Sequence, residues 1–338
     1  MGRMMSTQSR ATLADVARLA GVSSKTVSRV FADAGVVSAD TRERVLGAAK
    51  RLRFRPNNLA RSLRRGGVSN TVAFVIGDIT NPFYFHVAAG IERELAANGL
   101  TMVLATTDDS PESEEGVVDA LLAQRVRALL LIPVAADQSY LDGERQLGTP
   151  VISVDRPAGN LLADSVVLRN REGMREAVAS LIALGHRRIG FVSNPSAMYT
   201  VRERLAGYRE ALHDVGITDT HRWERVDDTP TRSAEDAVAS LFDQDDPPTA
   251  IVAGNNRASA GAIRVLRDRS PAVAFIGFDD FELADALGIS VVAYDTLEIG
   301  RTAARLALER LASPSDFTRQ IEIPTWLIHR GSGEIPPP

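Results

Sequence analysis

The chain has 338 residues, about twice or more the length of a typical domain, so length points to two or more cores and excludes a peptide-sized or disulfide-stapled scaffold. Apolar residues make up 44% and charged residues 24%, ordinary globular usage that excludes wholesale disorder and a fibrous rod, and the absence of cysteine removes disulfides, thiolate nucleophiles and cysteine zinc sites. The net charge of −4 hides a split: up to Gly66 there are 14 Lys and Arg against 4 Asp and Glu, and after it 25 against 39. A small basic module therefore precedes a large acidic body, which points to a polyanion partner for the first part.

The first residues, MGRMMSTQSRATLADVARLAG, have no apolar core of a signal peptide, because Asp15 and Arg18 interrupt the only candidate stretch, and no later run reaches membrane-spanning length. The expected location is the cytoplasm. Thr12-Leu13-Ala14-Asp15 has the form of a capping box, so a helix begins there, with Val16, Leu19 and Ala20 as its apolar stripe. Gly21 suits the left-handed turn that ends it. Ser23 then caps a second helix, Ser24 to Ala32, in which Val27, Val30 and Phe31 face inward and Ser24, Lys25, Ser28 and Arg29 face out. A third helix opens at Ser38, with Val45, Leu46, Ala49 and Leu52 as its stripe. Two short helices around a glycine turn, braced by a third, predict a helix-turn-helix whose second helix enters a major groove.

Here a resemblance becomes specific. ATLADVARLAGVSSKTVSRVFAD followed by VSADTRERVLGAAKRLRFRPN resembles the headpiece of the lactose repressor (LacI/GalR-type) family of bacterial transcriptional regulators. The resemblance implies that Ser24 and Lys25 touch base edges, that Arg29 contacts bases or the adjoining phosphate, and that Thr12, Ser23 and Ser28 hold phosphates. Next, RPNNLARSLRRGG carries Pro56 at a helix start, Leu59 and Leu63 at i, i+4, and a glycine pair at its end, a segment of about two turns too short to be stable alone. It is similar to the family's hinge helix, which orders when two copies pack over a central minor groove. By position Leu63 is the wedge between base pairs, Arg55, Arg61, Arg64 and Arg65 neutralise phosphates, and Asn57 is a further DNA contact.

From Thr71 the pattern changes to short apolar runs, TVAFVIGD, LTMVLAT, VRALLLIP and PVISVD, alternating with helical stretches, and a second such series follows from NREGMREAVASLIALG to AVAFIGFDD. The reading is an α/β body of two doubly wound, parallel-sheet lobes. GDITNPFY, LGHRRIGFV, TVRERLAGY and FIGFDD are similar to the same family's signposts in the same order, and the body resembles periplasmic sugar-binding proteins. The expected organisation is a headpiece at 1–55, a hinge at 56–67, a first lobe at 68–166 plus about 296–322, and a second at 167–295 plus about 323–338, with three crossings between lobes.

Ligands of such sheets sit beyond the carboxyl ends of the strands, so the cleft between the lobes is the expected site. The resemblance places Asn81, Phe83, Tyr84, Met198, Thr200, Arg204, Asn255 and Asp279 around it. An aromatic wall, an arginine fork and a carboxylate suit a small polar effector, a sugar or related metabolite. The chain departs from the family at Arg169-Asn170, where Asp-Asn is usual, and at Asn255-Asn256, where Asn-Asp is usual.

The expected function is a repressor binding a palindromic operator in double-stranded DNA as a homodimer. The tail RGSGEIPPP has no leucine heptads, which favours a dimer over a tetramer. The alternatives are a regulator controlled by a protein partner or by no ligand, and an enzyme. Against an enzyme, the five histidines form no metal-spaced pair and no nucleophile elbow or phosphate loop occurs, so no catalytic, metal or cofactor site is assigned.

Overall fold

The computed structural model describes residues 11–32, 37–54, 69–193, 198–226, 234–267, 269, 272–315 and 317–338. The chain divides into two compact units, Met1–Ser69 and Asn70–Pro338. The expected hinge contacts Arg55, Asn57, Arg61, Leu63, Arg64 and Arg65 lie outside the described residues.

In the first unit three helices, α1 (Leu13–Ala20), α2 (Ser24–Ala32) and α3 (Ala39–Arg51), enclose Val16, Val27 and Val45, each without accessible surface. The capping box forms as expected: Thr12 Oγ1 accepts from Asp15 N at 3.3 Å while Asp15 Oδ2 accepts from Thr12 N at 2.9 Å. Gly21, at φ 66°, closes the helix in the left-handed region, where a side chain is strained. Two expected core leucines do not join the core. Leu19 is 48% and Leu46 46% exposed, while Ala17 and Ala48 are buried, because the face each helix turns to the other two lies on the opposite flank of the expected stripe.

The second unit contains two six-stranded sheets. The first series is β1 (Thr71–Ile76), α4 (Pro82–Ala97), β2 (Thr101–Thr106), α5 (Pro111–Leu122), β3 (Leu129–Leu131), α6 (Asp142–Gln146), β4 (Val151–Asp155) and β5 (Asp164–Leu168). The second is α7 (Asn170–Ala183), β6 (Ile189–Val192), α8 (Tyr199–His213), β7 (Glu224–Arg225), α9 (Ala234–Ala239), β8 (Ala250–Ala253), α10 (Asn256–Leu266), β9 (Ala274–Phe278) and β10 (Ser290–Ala293). The chain then returns through α11 (Thr296–Ala312) and β11 (Gln320–Ile323) and finishes on β12 (Trp326–Ile328).

Strand order is β11-β5-β4-β3-β1-β2 in one sheet and β12-β10-β9-β8-β6-β7 in the other. Among the described residues all strand pairs are parallel except β10 with β12. Central strands such as Val151–Asp155 and Ala274–Phe278 are buried along their whole length, as sheets covered on both faces require. The chain passes between lobes after β5, after β10 and after β11, so each lobe is completed by distant sequence.

In each lobe two helices meet backbone to backbone. A Cβ on Gly90 of α4 would lie 2.2 Å from the Leu297 carbonyl oxygen of α11, and one on Gly207 of α8 would lie 2.1 Å from that of Arg171 on α7. The tail folds back along the second lobe: Phe275 N donates to Ser332 O at 2.7 Å, and His186 Nε2 lies 2.8 Å from Ile335 O. Because a carbonyl only accepts, Nε2 carries the proton, and burial holds this imidazole below its ordinary pKa and neutral.

Candidate functional site

In the first unit, Ser24, Lys25, Ser28 and Arg29 are all exposed on the side of α2 opposite the buried Val27 and Val30, so α2 presents one short, polar, basic face. Ser23 Oγ accepts from Thr26 N at 3.1 Å, which fixes the start of that helix. Thr12, expected to hold a phosphate, donates its hydroxyl proton to Asp15 Oδ2 at 2.6 Å.

In the second unit, Asn81, Phe83, Tyr84, Met198, Thr200, Arg204, Asn255 and Asp279 all line one cavity between the lobes, of about 60 Å³. They come together because each follows the carboxyl end of a strand or opens the helix after it: β1 for the first three, β6 for the next three, then β8 and β9. Asn81 and Asn255 also cap their helices, Asn81 Oδ1 accepting from Phe83 N at 3.1 Å and Asn255 Oδ1 from Ala258 N at 2.8 Å.

Arg204 is 5% exposed and held on several sides. Its Nε donates to Asn170 Oδ1 at 2.7 Å, Nη1 donates to Gly254 O at 2.6 Å, and the guanidinium lies 3.7 Å from the Phe278 ring centroid. Asp279 Oδ1 is 3.7 Å from Nη1 and accepts from the Tyr294 hydroxyl at 2.6 Å, while Oδ2 accepts from Asn256 N at 3.0 Å. The charged centre is therefore pre-organised on the second lobe, where Arg204 lines the cavity.

Sequence reasoning missed the first lobe's polar contribution. Asp109, Asp155 and Arg156 line the cavity, as do Val201, Arg257 and Tyr294. Asp155 and Arg156 are 6% and 7% exposed, Arg156 Nε lies 3.5 Å from Asp155 Oδ2, and that Nε has no hydrogen-bond partner among the described residues. Burial raises the Asp155 carboxyl above its ordinary pKa, against the pull of Arg156 and Arg204. Asp155 and Asp279 face this cavity from opposite lobes with φ of 68° and 74°, a left-handed backbone that non-glycine residues adopt at a cost and that gathers at functional sites. The end of an apolar strand is the signal that points to Asp155-Arg156, and PVISVDR shows it.

The two departures separate in space. Arg169 lies outside the cavity lining, 3.7 Å from Glu322 with half of its side chain exposed, whereas its neighbour Asn170 is the residue that orients Arg204. Asn256 lines the cavity. A wider groove of about 780 Å³, floored by Phe85, Phe281 and Leu283, shares Phe83, Asn256, Asp279 and Tyr294 with it.

An exposed basic helix-turn-helix and a two-lobed body with a polar cleft define a DNA-binding regulator of the ligand-responsive kind. Comparison with known proteins makes the class particular. Residues 12–57 match the family "Bacterial regulatory proteins, lacI family", and residues 69–330 match "Periplasmic binding proteins and sugar binding domain of LacI family". The chain is 33% identical to the HTH-type transcriptional regulator CelR of Thermobifida fusca, covering 97% of this chain and 100% of that one. It is 30% identical to the ribose operon repressor of Escherichia coli K12, covering 95% and 99%. The crystal structure of the Lac repressor dimer bound to operator and the anti-inducer ONPF superposes with a TM-score of 0.84 at 26% identity, over 96% of this chain and 99% of that one. The chain belongs to the LacI family, and it is a DNA-binding transcription regulator rather than an enzyme.

Proposed function

We propose that the protein represses transcription as a homodimer on a palindromic operator, and that a small polar metabolite, a sugar or a relative of one, sets its operator affinity from the interlobe cleft. The observation that carries the first part is the exposed face of α2, on which Ser24, Lys25, Ser28 and Arg29 stand together on a helix-turn-helix. Ser24 and Lys25 read base edges, Arg29 reaches bases or phosphate, and Thr12, Ser23 and Ser28 hold phosphates. Arg55, Arg61, Arg64 and Arg65 neutralise phosphates at the operator centre, with Asn57 as a further DNA contact, and Leu63 wedges a base step open there. Supporting this reading, the Lac repressor structure is a dimer on operator DNA, and a CelR structure 32% identical to this chain is a cellobiose complex. Among the described residues no helix is long and apolar enough to cross a membrane. The repressor acts where the DNA is, in the bacterial cytoplasm and on the nucleoid when bound to operator.

Selection of binding sites from random duplex DNA is expected to return an inverted repeat with half-sites about 10 base pairs apart, centre to centre, around a deformable step. A non-palindromic or single-stranded consensus overturns the proposal. On the selected site Leu63→Ala is expected to weaken specific binding by about 2–3 kcal/mol and leave nonspecific binding nearly unchanged. Arg64→Ala is expected to reduce the salt slope by about one unit on any sequence. Titrations of both variants on operator and random DNA at several salt concentrations read the difference.

A further inference from the structure

The lobes are tied together across the mouth of the cleft by side chains of this chain alone. Arg257, in the first turn of α10, pairs with the Asp78 carboxylate in the loop after β1. Beside it Asn256 Nδ2 donates to Asn81 Oδ1 at 2.9 Å. Both ends of this bridge are fixed before it forms. Asp78 Oδ1 accepts from Thr80 N at 2.7 Å, Asn81 caps α4, and Asn256 N is held by Asp279.

The bridge also has leverage. The lobe crossings leave from β5, β11 and β10, toward one edge of each sheet, whereas Asp78 and Asn81 follow β1, near the opposite edge of the first sheet, and Asn256 and Arg257 follow β8, inside the second. A hinge at one edge and a polar tie away from it make a clasp. With the clasp made, the space between the lobes at this point is about 60 Å³ and opens beside the wider groove of about 780 Å³. The smaller space holds a few waters and falls far below the roughly 300–1,000 Å³ of small-molecule pockets.

We propose that Asp78–Arg257 and Asn81–Asn256 form a latch that holds the lobes in this arrangement without any effector. Asn256 is where the family usually has aspartate, and the amide is what makes the second tie: a carboxylate there has no proton to donate to Asn81 Oδ1. The Asp78–Arg257 pair stands at the surface, with 48% of the arginine side chain exposed, so salt screens it. Closure then depends on ionic strength as well as on ligand. The latched state is one of two lobe arrangements, and an effector shifts the population only as far as its affinities for the two differ.

The absence of cysteine allows a direct test that needs no knowledge of the effector. Asp119→Cys on α5 and Ala260→Cys on α10, both exposed positions on opposite lobes, carry a spin-label pair, with labelled chains diluted into excess unlabelled protein so that only distances within one chain are read. Ligand-free protein at about 0.05 M salt is expected to give one narrow distribution that lengthens by several ångströms toward about 1 M. In Arg257→Ala the distribution is expected to be long at both salts. A wild-type distribution that is already broad at low salt, or an Arg257→Ala distribution that matches wild type at both salts, overturns the latch. Asp78→Ala gives an independent copy of the result from the first lobe. Either outcome leaves the operator selection above untouched.

Discussion

Gly90→Val is expected to cost the body about 3 kcal/mol or more and lower its melting temperature by roughly 10 °C, read by calorimetry or thermal denaturation. α4 and α11 approach so closely that each uses a glycine against the other's backbone: a Cβ on Gly90 meets Leu297 O at 2.2 Å, and one on Gly300 meets Val87 O at 2.1 Å. The obstacle is main chain within a helix, so it cannot swing away as a side-chain tip can. Separating the pair by even an ångström also loosens the cluster around Val87, Ile91, Ile299 and Ala303, all buried at 1% exposure or less. Gly116 on α5 is the control, because nothing lies within 4 Å of its added Cβ. Gly116→Ala is expected to stabilise by up to about 1 kcal/mol through helix propensity. A Gly90→Val protein that melts with wild type would show that the helices can part at no cost.

The second large effect is at Arg204. Reading the sequence alone, Arg204→Ala abolishes the effector response and spares operator binding without effector. The structure changes that expectation, because the same guanidinium satisfies Asn170 Oδ1 and Gly254 O, covers Phe278 and sits beside Asp279. Truncation leaves two buried acceptors without their donor and an aspartate without its nearest cation, a loss of about 3–5 kcal/mol. Loss of effector response and loss of stability are therefore expected together. Arg204→Lys keeps the charge but not the fork or the flat face, so it is expected to recover part of the stability and little of the response. Thermal denaturation alongside titration of a ligand found by thermal-shift screening checks both. A full response in the lysine variant would place the effector's main contact elsewhere.

Legibility in the sequence followed the range of the interaction. The helix-turn-helix is written in contacts three or four residues apart, such as Thr12 with Asp15 and Ser38 with Thr41, and these could be read directly. Leu19 and Leu46 stay at the surface because apolar spacing marks a stripe without saying which flank of it meets the neighbouring helices. In the cleft the eight expected residues were found by likeness of motif. Asp155 and Arg156 belong to no such motif in that reading, and their partners lie far along the chain. The bond from Asn256 to Asn81 joins residues 175 positions apart and has no local signature at all.

The return of the chain through α11 and β11 has a consequence for how the protein is made. The first sheet pairs Ser165 with Gln320 and Leu168 with Ile323, and α4 packs against α11, so that lobe has neither its outer strand nor the partner of its longest early helix until residue 323 has been synthesised. During translation the ribosome releases β1 to β5 well before the segments that cover them. The nascent first lobe must wait with an apolar helix face and an open strand edge exposed, the features that make folding intermediates aggregate. Closing pairs so distant in sequence is slow as well as late. Overproduction that outruns chaperone supply is therefore expected to trap the chain at this stage, with the N-terminal helices, which depend on nothing downstream, already folded.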